Sequence, residues 1–263
     1  MRFSVGINYW PRRSAMAMWH RFDAGEIRED FARIAGLGLD AVRFFLRWAD
    51  FQPGPGPLDP LMLERLGVLG GRVLAAHATQ LSDADLSVLA RHGVSVAHCP
   101  GSNAKLAAGT ARLVDLLAAG VPTALGTDGP ASNDDLDLWE EMRLAALFAR
   151  LSTSDAAALT AAQALLLATR GGADALRRDD IGALEAGRWA DVVHVDVDDP
   201  AFATGLDVPD GQLLANLVWA AGSRAVRDVW VAGDQVVANG EPTRVDRAAA
   251  QAAVREVAAR LRG

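Results

Sequence analysis

The sequence lacks several features that would each indicate a particular class of protein. Cys99 is the single cysteine among 263 residues, which excludes an internal disulfide framework and a cysteine-rich zinc knuckle. No apolar run approaches the ~18 residues of a membrane span, and the start is not that of a signal peptide. The formal net charge of −7 gives no basic footprint for nucleic acid or an anionic membrane. We therefore expect a cytoplasmic protein with no nucleic-acid or membrane partner.

The residues that are present indicate an α/β fold. The chain is 51% hydrophobic and 22% charged, which suits one soluble domain or one domain with a small appendage. Short apolar strands alternate with amphipathic helices, a pattern typical of parallel βα units. An early helix after Asp23 would place Ile27, Phe31 and Ile34 on one apolar face. From about residue 181 the apolar period changes to two, which predicts strands at 190–198 and 228–240 and a hairpin turning at Gly233–Asp234.

Polar side chains stand at the ends of three successive predicted strands. His77 ends the strand at 72–77, His98 ends the strand at 94–98, and Asp128 ends the strand at 121–128. Catalytic residues of βα barrels lie at the carboxyl ends of the strands, so we expect these three to converge. A carboxylate beside two imidazoles suits a divalent metal and its bound water.

Each of these residues also has an ordinary structural interpretation. A single histidine at a strand end is more often a hydrogen-bonded structural residue than a ligand, and an Asp between glycines can be a simple helix cap. His92 precedes a glycine at a helix end, where an imidazolium favours the helix dipole. His194 alternates with valines and should face solvent, and Cys99 beside Pro100 is expected to be a small buried hydrophobe.

Three motifs surround these strand ends: AAHATQLSD at 75–83, VSVAHCPGSNAKLAAG at 94–109 and GTDGPASND at 126–134. They resemble the sixth-, seventh- and eighth-strand motifs of the amidohydrolases, in the branch of cytosine, guanine, 8-oxoguanine and methylthioadenosine deaminases and triazine chlorohydrolases. Several motifs in register are more specific than any one of them. The whole resemblance covers about residues 72–245.

The resemblance implies a metal-dependent hydrolase of C–N bonds other than peptide bonds, acting on a small heterocyclic substrate with Zn or Fe as cofactor. Asp128 would be the metal ligand and would also accept a proton from the attacking water. His77 would be the second catalytic residue and would face the substrate or the water. His98, Ser132 and Asn133 would line the substrate side of the site.

The histidines that complete the metal site in this family have no counterpart here. The first-strand H-x-H pair is absent, and only His20 precedes His77. Asp128 with His77 supplies at most two ligands, against the three protein ligands of a catalytic zinc. Two alternatives therefore stay open: a catalytically inactive fusion or fragment, and a chain that works only after assembly with another.

The amino-terminal part carries a different and shorter resemblance. Residues 1–66, including SVGINYWP at 4–11, resemble the first two βα units of clan A glycoside hydrolases. A glycoside hydrolase is therefore a distant alternative, although its two catalytic carboxylates have no counterpart here.

The predicted fold class is α/β, a partial (β/α) TIM-type barrel of parallel strands with a small, incomplete carboxy-terminal β-sandwich. Copies of the chain would associate as a homo-oligomer through open barrel edges. The predicted parts are a glycoside-hydrolase-like βαβα segment at 1–70, barrel strands 6–8 at 71–180, part of the β-sandwich at 181–245, and a terminal helix at 246–263.

Overall fold

The computed structural model describes residues 6–15, 21–44 and 72–262. The chain divides into two compact units, Met1–Leu66 and Gly67–Gly263. Each unit contains parallel strands connected through helices, so the predicted α/β class is confirmed. Among the described residues, no helix is long and apolar enough to cross a membrane.

Within its described residues, the first unit contains one βαβ arrangement. Strand β1 (Gly6–Asn8) pairs in parallel with strand β2 (Ala41–Arg43), and helix α1 (Ala24–Gly36) lies between them in sequence. The Asp23 carboxylate accepts the backbone N–H groups of Gly25 and Glu26, which satisfies donors that every helix start leaves unpaired. The part of the second predicted strand beyond residue 44 lies outside the described residues.

The fully buried residues of α1 are polar, and the predicted apolar face is half-buried rather than buried. Glu26 and Asp30 are its buried residues, whereas Phe31 is 41% exposed. The partners explain the burial, because Asp30 pairs with the Arg12 guanidinium at 2.7 Å and accepts the Tyr9 hydroxyl at 3.3 Å. Buried carboxylates are tolerated where they are paired in this way.

The second unit is built on a three-stranded parallel sheet in the order β3, β4, β5. The register aligns Ala75 with Val96 and Ala97 with Ala124, so the carboxyl ends of all three strands lie at one edge. The strands are β3 (Leu74–Ala76), β4 (Ser95–His98) and β5 (Thr123–Leu125), with helices α2 (Asp83–Arg91), α3 (Pro100–Lys105) and α4 (Leu113–Ala118) between them.

A cap and an apolar cluster fix the helices on this sheet. Ser82 and Asp85 form a capping box at the start of α2, as the sequence predicts. Leu116 and Val96 are fully buried in one cluster that joins α2, α4 and β4. Burial of apolar side chains of this size supplies about 1.5–3 kcal/mol each.

Four helices follow β5, and the second and third of them form a second core against it. The Ala145 and Ala146 side chains of the longest helix are fully buried, and residues this small allow neighbouring helices to approach closely. The same cluster includes Leu125 of the sheet and Val218. The helices are α5 (Pro130–Asn133), α6 (Leu138–Thr153), α7 (Ala161–Ala168) and α8 (Arg170–Ala175).

An antiparallel sheet forms the carboxy-terminal part, in the order β6, β7, β8, β9. Its hairpin turns at Ala232–Gly233, one residue earlier than predicted. Both turn residues have positive φ, 53° and 86°. A two-residue loop of that kind matches the twist of the flanking strands. The elements are β6 (Val192–Val195), helix α9 (Asp210–Ala215), a π-helical turn (Asn216–Ala221), β7 (Val226–Val231), β8 (Asp234–Ala238), β9 (Glu241–Pro242) and helix α10 (Arg247–Arg262).

We expect Leu116→Ala to lower the free energy of unfolding by about 2–5 kcal/mol, because it empties a buried site that the neighbours cannot fully close. Urea denaturation followed by circular dichroism measures the change. Leu151→Ala is the matched control, since Leu151 is 75% exposed and a surface change costs at most about 0.5 kcal/mol. Equal losses in the two variants would contradict this description of the core.

Candidate active site

The three residues that the sequence singles out lie at one edge of the parallel sheet. His98 is the last residue of β4, His77 directly follows β3, and Asp128 lies three residues beyond β5. Two hydrogen bonds continue the strand pairing to this edge: His77 N–H donates to the Ala97 carbonyl, and Gly126 N–H donates to the His98 carbonyl, both at 2.9 Å. The three residues thus lie at one edge of the sheet, but of the three it is His98 that lines the cavity described below.

The backbone at two of these positions is in an unusual conformation. His77 and Asp128 have φ of 69° and 64°, in the left-handed region that non-glycine residues rarely occupy. Such a conformation costs of order 1–3 kcal/mol, and it persists only where the surroundings enforce it. Conformations of this kind cluster at functional sites, so both residues are candidates for more than a structural role.

Two serine hydroxyls hold the Asp128 carboxylate. Its Oδ2 accepts Ser132 Oγ–H at 2.5 Å and Ser102 Oγ–H at 2.9 Å. The bond from Ser132 has the largest effect and, with that from Ser102, lowers the pKa of Asp128 below its usual value. Burial raises this pKa, but by less than the Ser132 bond lowers it. The group is therefore an ionised carboxylate at neutral pH, with a fixed orientation.

His77 lies between Asn103 and Asp128. Its Nδ1 is 2.8 Å from Asn103 Oδ1, and its Nε2 is 3.9 Å from Asp128 Oδ2. Because the amide oxygen is an acceptor, Nδ1 is the donor in this bond, and Nε2 is the nitrogen that faces Asp128. The ring is thus fixed through Nδ1 and presents its other nitrogen to the carboxylate.

His98 is buried beside a cavity. The side chain is 1% exposed, and burial, together with the nearby His77, lowers its pKa to about 4, so the ring is neutral. Within the part of the chain that the structure describes, neither ring nitrogen has a hydrogen-bond partner, and Asn103 Nδ2 has none. Both residues line a cavity of about 300 Å³ whose apolar walls include Ala107 and Phe148.

Ser132 and Asn133, which were predicted on the substrate side, are not among the residues that line this cavity. The Ser132 hydroxyl is directed at Asp128, and Asn133 Nδ2 donates to Glu141 Oε1 at 2.8 Å. Sequence reasoning gave no role to Ser102, Asn103 or Glu141. The GSN sequence at 101–103 inside a recognised motif was the available signal for the first two, whereas an acidic residue in the first turn of a helix gave no signal of burial.

His92, His194 and Cys99 are placed as the structural interpretations predict, and His20 lies outside the described residues. His92 is the C-cap of α2, and the half-exposed His194 lies 2.8 Å from Asp228 Oδ2 through its Nδ1. Cys99 is 3% exposed, and chiefly its burial raises the pKa of the thiol to about 11. These three side chains are therefore not part of the candidate site.

The described residues do not fit a complete zinc site. Across residues 6–15, 21–44 and 72–262, no group of three or more His, Cys, Asp or Glu side chains is placed to hold a metal ion. Asp128 and His77 supply two potential ligands, and a catalytic zinc takes three from the protein.

We predict that Ser132→Ala raises the pKa of Asp128 towards its usual value, because the largest stabilising hydrogen bond to the carboxylate is removed. A lowered folded-state pKa contributes stability that is present above the unfolded pKa and is lost as the pH falls through the folded pKa. In the variant the loss still begins near the unfolded pKa, but it is smaller and is complete at a higher pH. A ¹³C NMR titration of labelled aspartate measures the pKa, with Ser152→Ala as control because Ser152, within the described residues, donates to the Ala149 carbonyl. Equal values in all three proteins would contradict the prediction.

We also predict that Cys99 reacts very slowly with a disulfide reagent in the folded protein. At a pH of about 8, a thiol whose pKa is about 11 is ionised in on the order of one molecule in a thousand. Only the thiolate attacks the disulfide reagent. The same protein in denaturant should react at the rate of an ordinary thiol. Because Cys99 is the single cysteine, the absorbance change of the reagent reports on this thiol alone. Fast reaction of the folded protein would show that the thiol is accessible and would contradict the prediction.

The chain matches known proteins over most of its length. The sequence model of the amidohydrolase family matches residues 53–236. A 5-methylthioadenosine/S-adenosylhomocysteine deaminase of Pelotomaculum thermopropionicum is 41% identical over 195 residues, which are 74% of this chain and 40% of that protein. A 5′-deoxyadenosine deaminase of Methanosarcina mazei is 44% identical over 175 residues, which are 66% of this chain and 40% of that protein.

Solved structures give the same result. An adenosine deaminase from Xanthomonas campestris with bound zinc superposes with a TM-score of 0.78 and 38% identity, covering 91% of this chain and 55% of that one. An atrazine chlorohydrolase from Arthrobacter aurescens in complex with zinc gives a TM-score of 0.72 and 29% identity, covering 88% and 51%. The chain thus spans about half the length of these relatives, or less. Because the family model covers more than half of its residues, a range that includes the three strand-end motifs, the chain belongs to the amidohydrolase family.

Proposed function

We propose that this chain carries part of the active site of a metal-dependent hydrolase that cleaves non-peptide C–N bonds of small aminoheterocycles. The observation that carries the proposal is the pairing of an oriented Asp128 carboxylate with the His77 ring, 3.9 Å apart, at the carboxyl edge of a parallel sheet. The named relatives are deaminases of adenosine derivatives, which makes an amino-substituted purine the first substrate to test.

Asp128 is the residue we propose as base and as metal ligand. Its carboxylate accepts a proton from water as the water oxygen attacks the ring carbon that bears the amino group. The same proton is then available to the leaving nitrogen, which departs as ammonia. Because two serines lower its pKa, Asp128 is ionised and ready to accept, but it is a weak base. The further ligands of a complete metal site would have to come from outside the described residues.

His77 is proposed as the second catalytic residue. Asn103 fixes the ring through Nδ1, so Nε2 can hold the attacking water or the leaving nitrogen by a hydrogen bond beside Asp128. A general acid or base held in this way contributes typically about 10²–10⁴-fold to a rate.

The cavity beside His98 is proposed to take the substrate ring. A neutral imidazole offers one donor and one acceptor, and Asn103 Nδ2 offers a further donor, none of them paired within the described residues. Ring nitrogens and exocyclic amino groups of an aminoheterocycle complement such groups, while Phe148 supplies an apolar wall. Ser132 and Asn133 would shape the site through Asp128 and Glu141.

The finer architecture is part of the proposal. We assign β3, β4 and β5 to the sixth, seventh and eighth strands of a TIM-type barrel, and β6 to β9 to part of the small β-sandwich, with the boundaries given in the sequence analysis. Zinc in two of the solved relatives supports zinc as the metal of the family. The homo-oligomer through open barrel edges and the glycoside-hydrolase resemblance of residues 1–66 stay predictions.

We predict that the isolated chain binds zinc weakly and releases little or no ammonia from methylthioadenosine, 5′-deoxyadenosine, guanine or cytosine. The reason is the incomplete ligand set, because several fixed ligands acting together are needed to hold a catalytic metal. Elemental analysis after gel filtration and an ammonia-release assay measure the two quantities.

Asp128→Ala should abolish any turnover that is detected, whereas Asp134→Ala, an exposed acid paired with Lys105, should preserve it. Stoichiometric zinc with turnover that requires Asp128 would show that the ligand set is larger than Asp128 and His77. Turnover that survives Asp128→Ala would overturn the proposed role of Asp128.

A further inference from the structure

We propose that Glu141 is a positioning residue that holds both serine donors on the Asp128 carboxylate. The proposal rests on the proposed function only in taking Asp128 as the reacting carboxylate. Glu141 is fully buried in the first turn of α6, and it makes no direct contact with Asp128 among the hydrogen bonds described for it.

One carboxylate joins the two segments that carry the serines. Glu141 Oε2 accepts Gly101 N–H at 2.9 Å, and Oε1 accepts Asn133 Nδ2–H at 2.8 Å. Gly101 immediately precedes Ser102, and Asn133 immediately follows Ser132. Glu141 therefore fixes the residue beside each donor, one at the start of α3 and one at the end of α5.

The polarity of this network requires an ionised carboxylate. Leu136 N–H donates to Asn133 Oδ1 at 2.7 Å, so the Asn133 amide must present its NH₂ group to Glu141. Gly101 presents a backbone N–H to the other oxygen. A neutral amide at position 141 would place its own NH₂ group against one of these donors, and rotating Asn133 would only move the conflict to Leu136.

The surroundings accommodate the carboxylate at some cost. A Cβ on residue 101 would overlap Glu141 Oε1, so glycine is needed there for the acid to approach the backbone. Burial raises the pKa of Glu141, while the two donors oppose that rise. A buried charge is usually unfavourable relative to an apolar side chain of similar size, and its presence here fits a positioning task.

The test compares Glu141→Gln with Glu140→Gln in the full chain, because Glu140 is the adjacent but exposed acid. The ¹³Cγ signal of Asp128, recorded at constant neutral pH, reports the hydrogen bonds that its carboxylate accepts. We expect Glu141→Gln to move this signal in the direction seen for Ser102→Ala and Ser132→Ala, and Glu140→Gln to leave it unchanged.

Amide hydrogen exchange supplies a second readout. The Gly101 amide should exchange at least about tenfold faster in Glu141→Gln, a factor that corresponds to about 1.4 kcal/mol, while amides of β6 to β8 keep their protection. A merely global loss of stability would speed exchange in both regions and leave the Asp128 signal of the folded state in place.

An unchanged Asp128 signal in folded Glu141→Gln would overturn the proposal. If that variant does not fold, Asn133→Ala removes one side of the network at the end of α5, where Asn133 is half-buried. It should reproduce the Ser132→Ala shift while Gly101 stays protected. An unchanged signal there would equally overturn it. Neither result depends on turnover, so the proposed hydrolase function can fail while the positioning role stands, and the reverse.

Discussion

Two hydrogen bonds to one carboxylate oxygen are the interaction on which the rest of the site depends. Asp128 Oδ2 accepts hydrogen bonds from the hydroxyl groups of Ser102 and Ser132. Ser102 lies in the helix after β4, and Ser132 lies in the helix after β5. The bonds favour the ionised form of the carboxylate and direct it at His77. They also stabilise Asp128 in a backbone conformation with positive φ, which is costly for a residue other than glycine. Without them the acid would be one exposed strand-end aspartate among many.

The parallel sheet makes this arrangement possible. The register between neighbouring strands places their carboxyl ends at one edge of the sheet, so residues far apart in sequence meet there. His77 and Asn103 are 26 residues apart in sequence, yet His77 Nδ1 is 2.8 Å from Asn103 Oδ1. The apolar clusters under the sheet hold that register, and the helices after the strands supply the donors. Stability and site geometry thus come from the same strands, while the chemistry depends on the few polar residues at their ends.

Sequence reasoning predicted the parts of this site that local pattern determines. Strand ends marked Asp128 and His77, and capping residues such as Ser82 marked helix starts. Glu141 could not be found in this way, because its role follows from burial against Gly101, 40 residues earlier. The burial of Asp30 in α1 was missed for a similar reason, because it pairs with Arg12 and Tyr9, partners that no helical period reveals. Polar networks formed over long sequence separations are what the pattern of apolar residues does not encode.

The most direct measurement of the central claim, that the three strand ends form one heterocycle-binding site, is ¹⁵N NMR of the histidine rings during titration with 5′-deoxyadenosine. His77 and His98 lie at the candidate site, whereas His92 caps a helix and His194 pairs with Asp228 on the antiparallel sheet. The account predicts that the His77 and His98 signals shift together along one binding curve while those of His92 and His194 stay in place. Shifts confined to His92 or His194, or no shift at His77 and His98 at millimolar ligand, would contradict it.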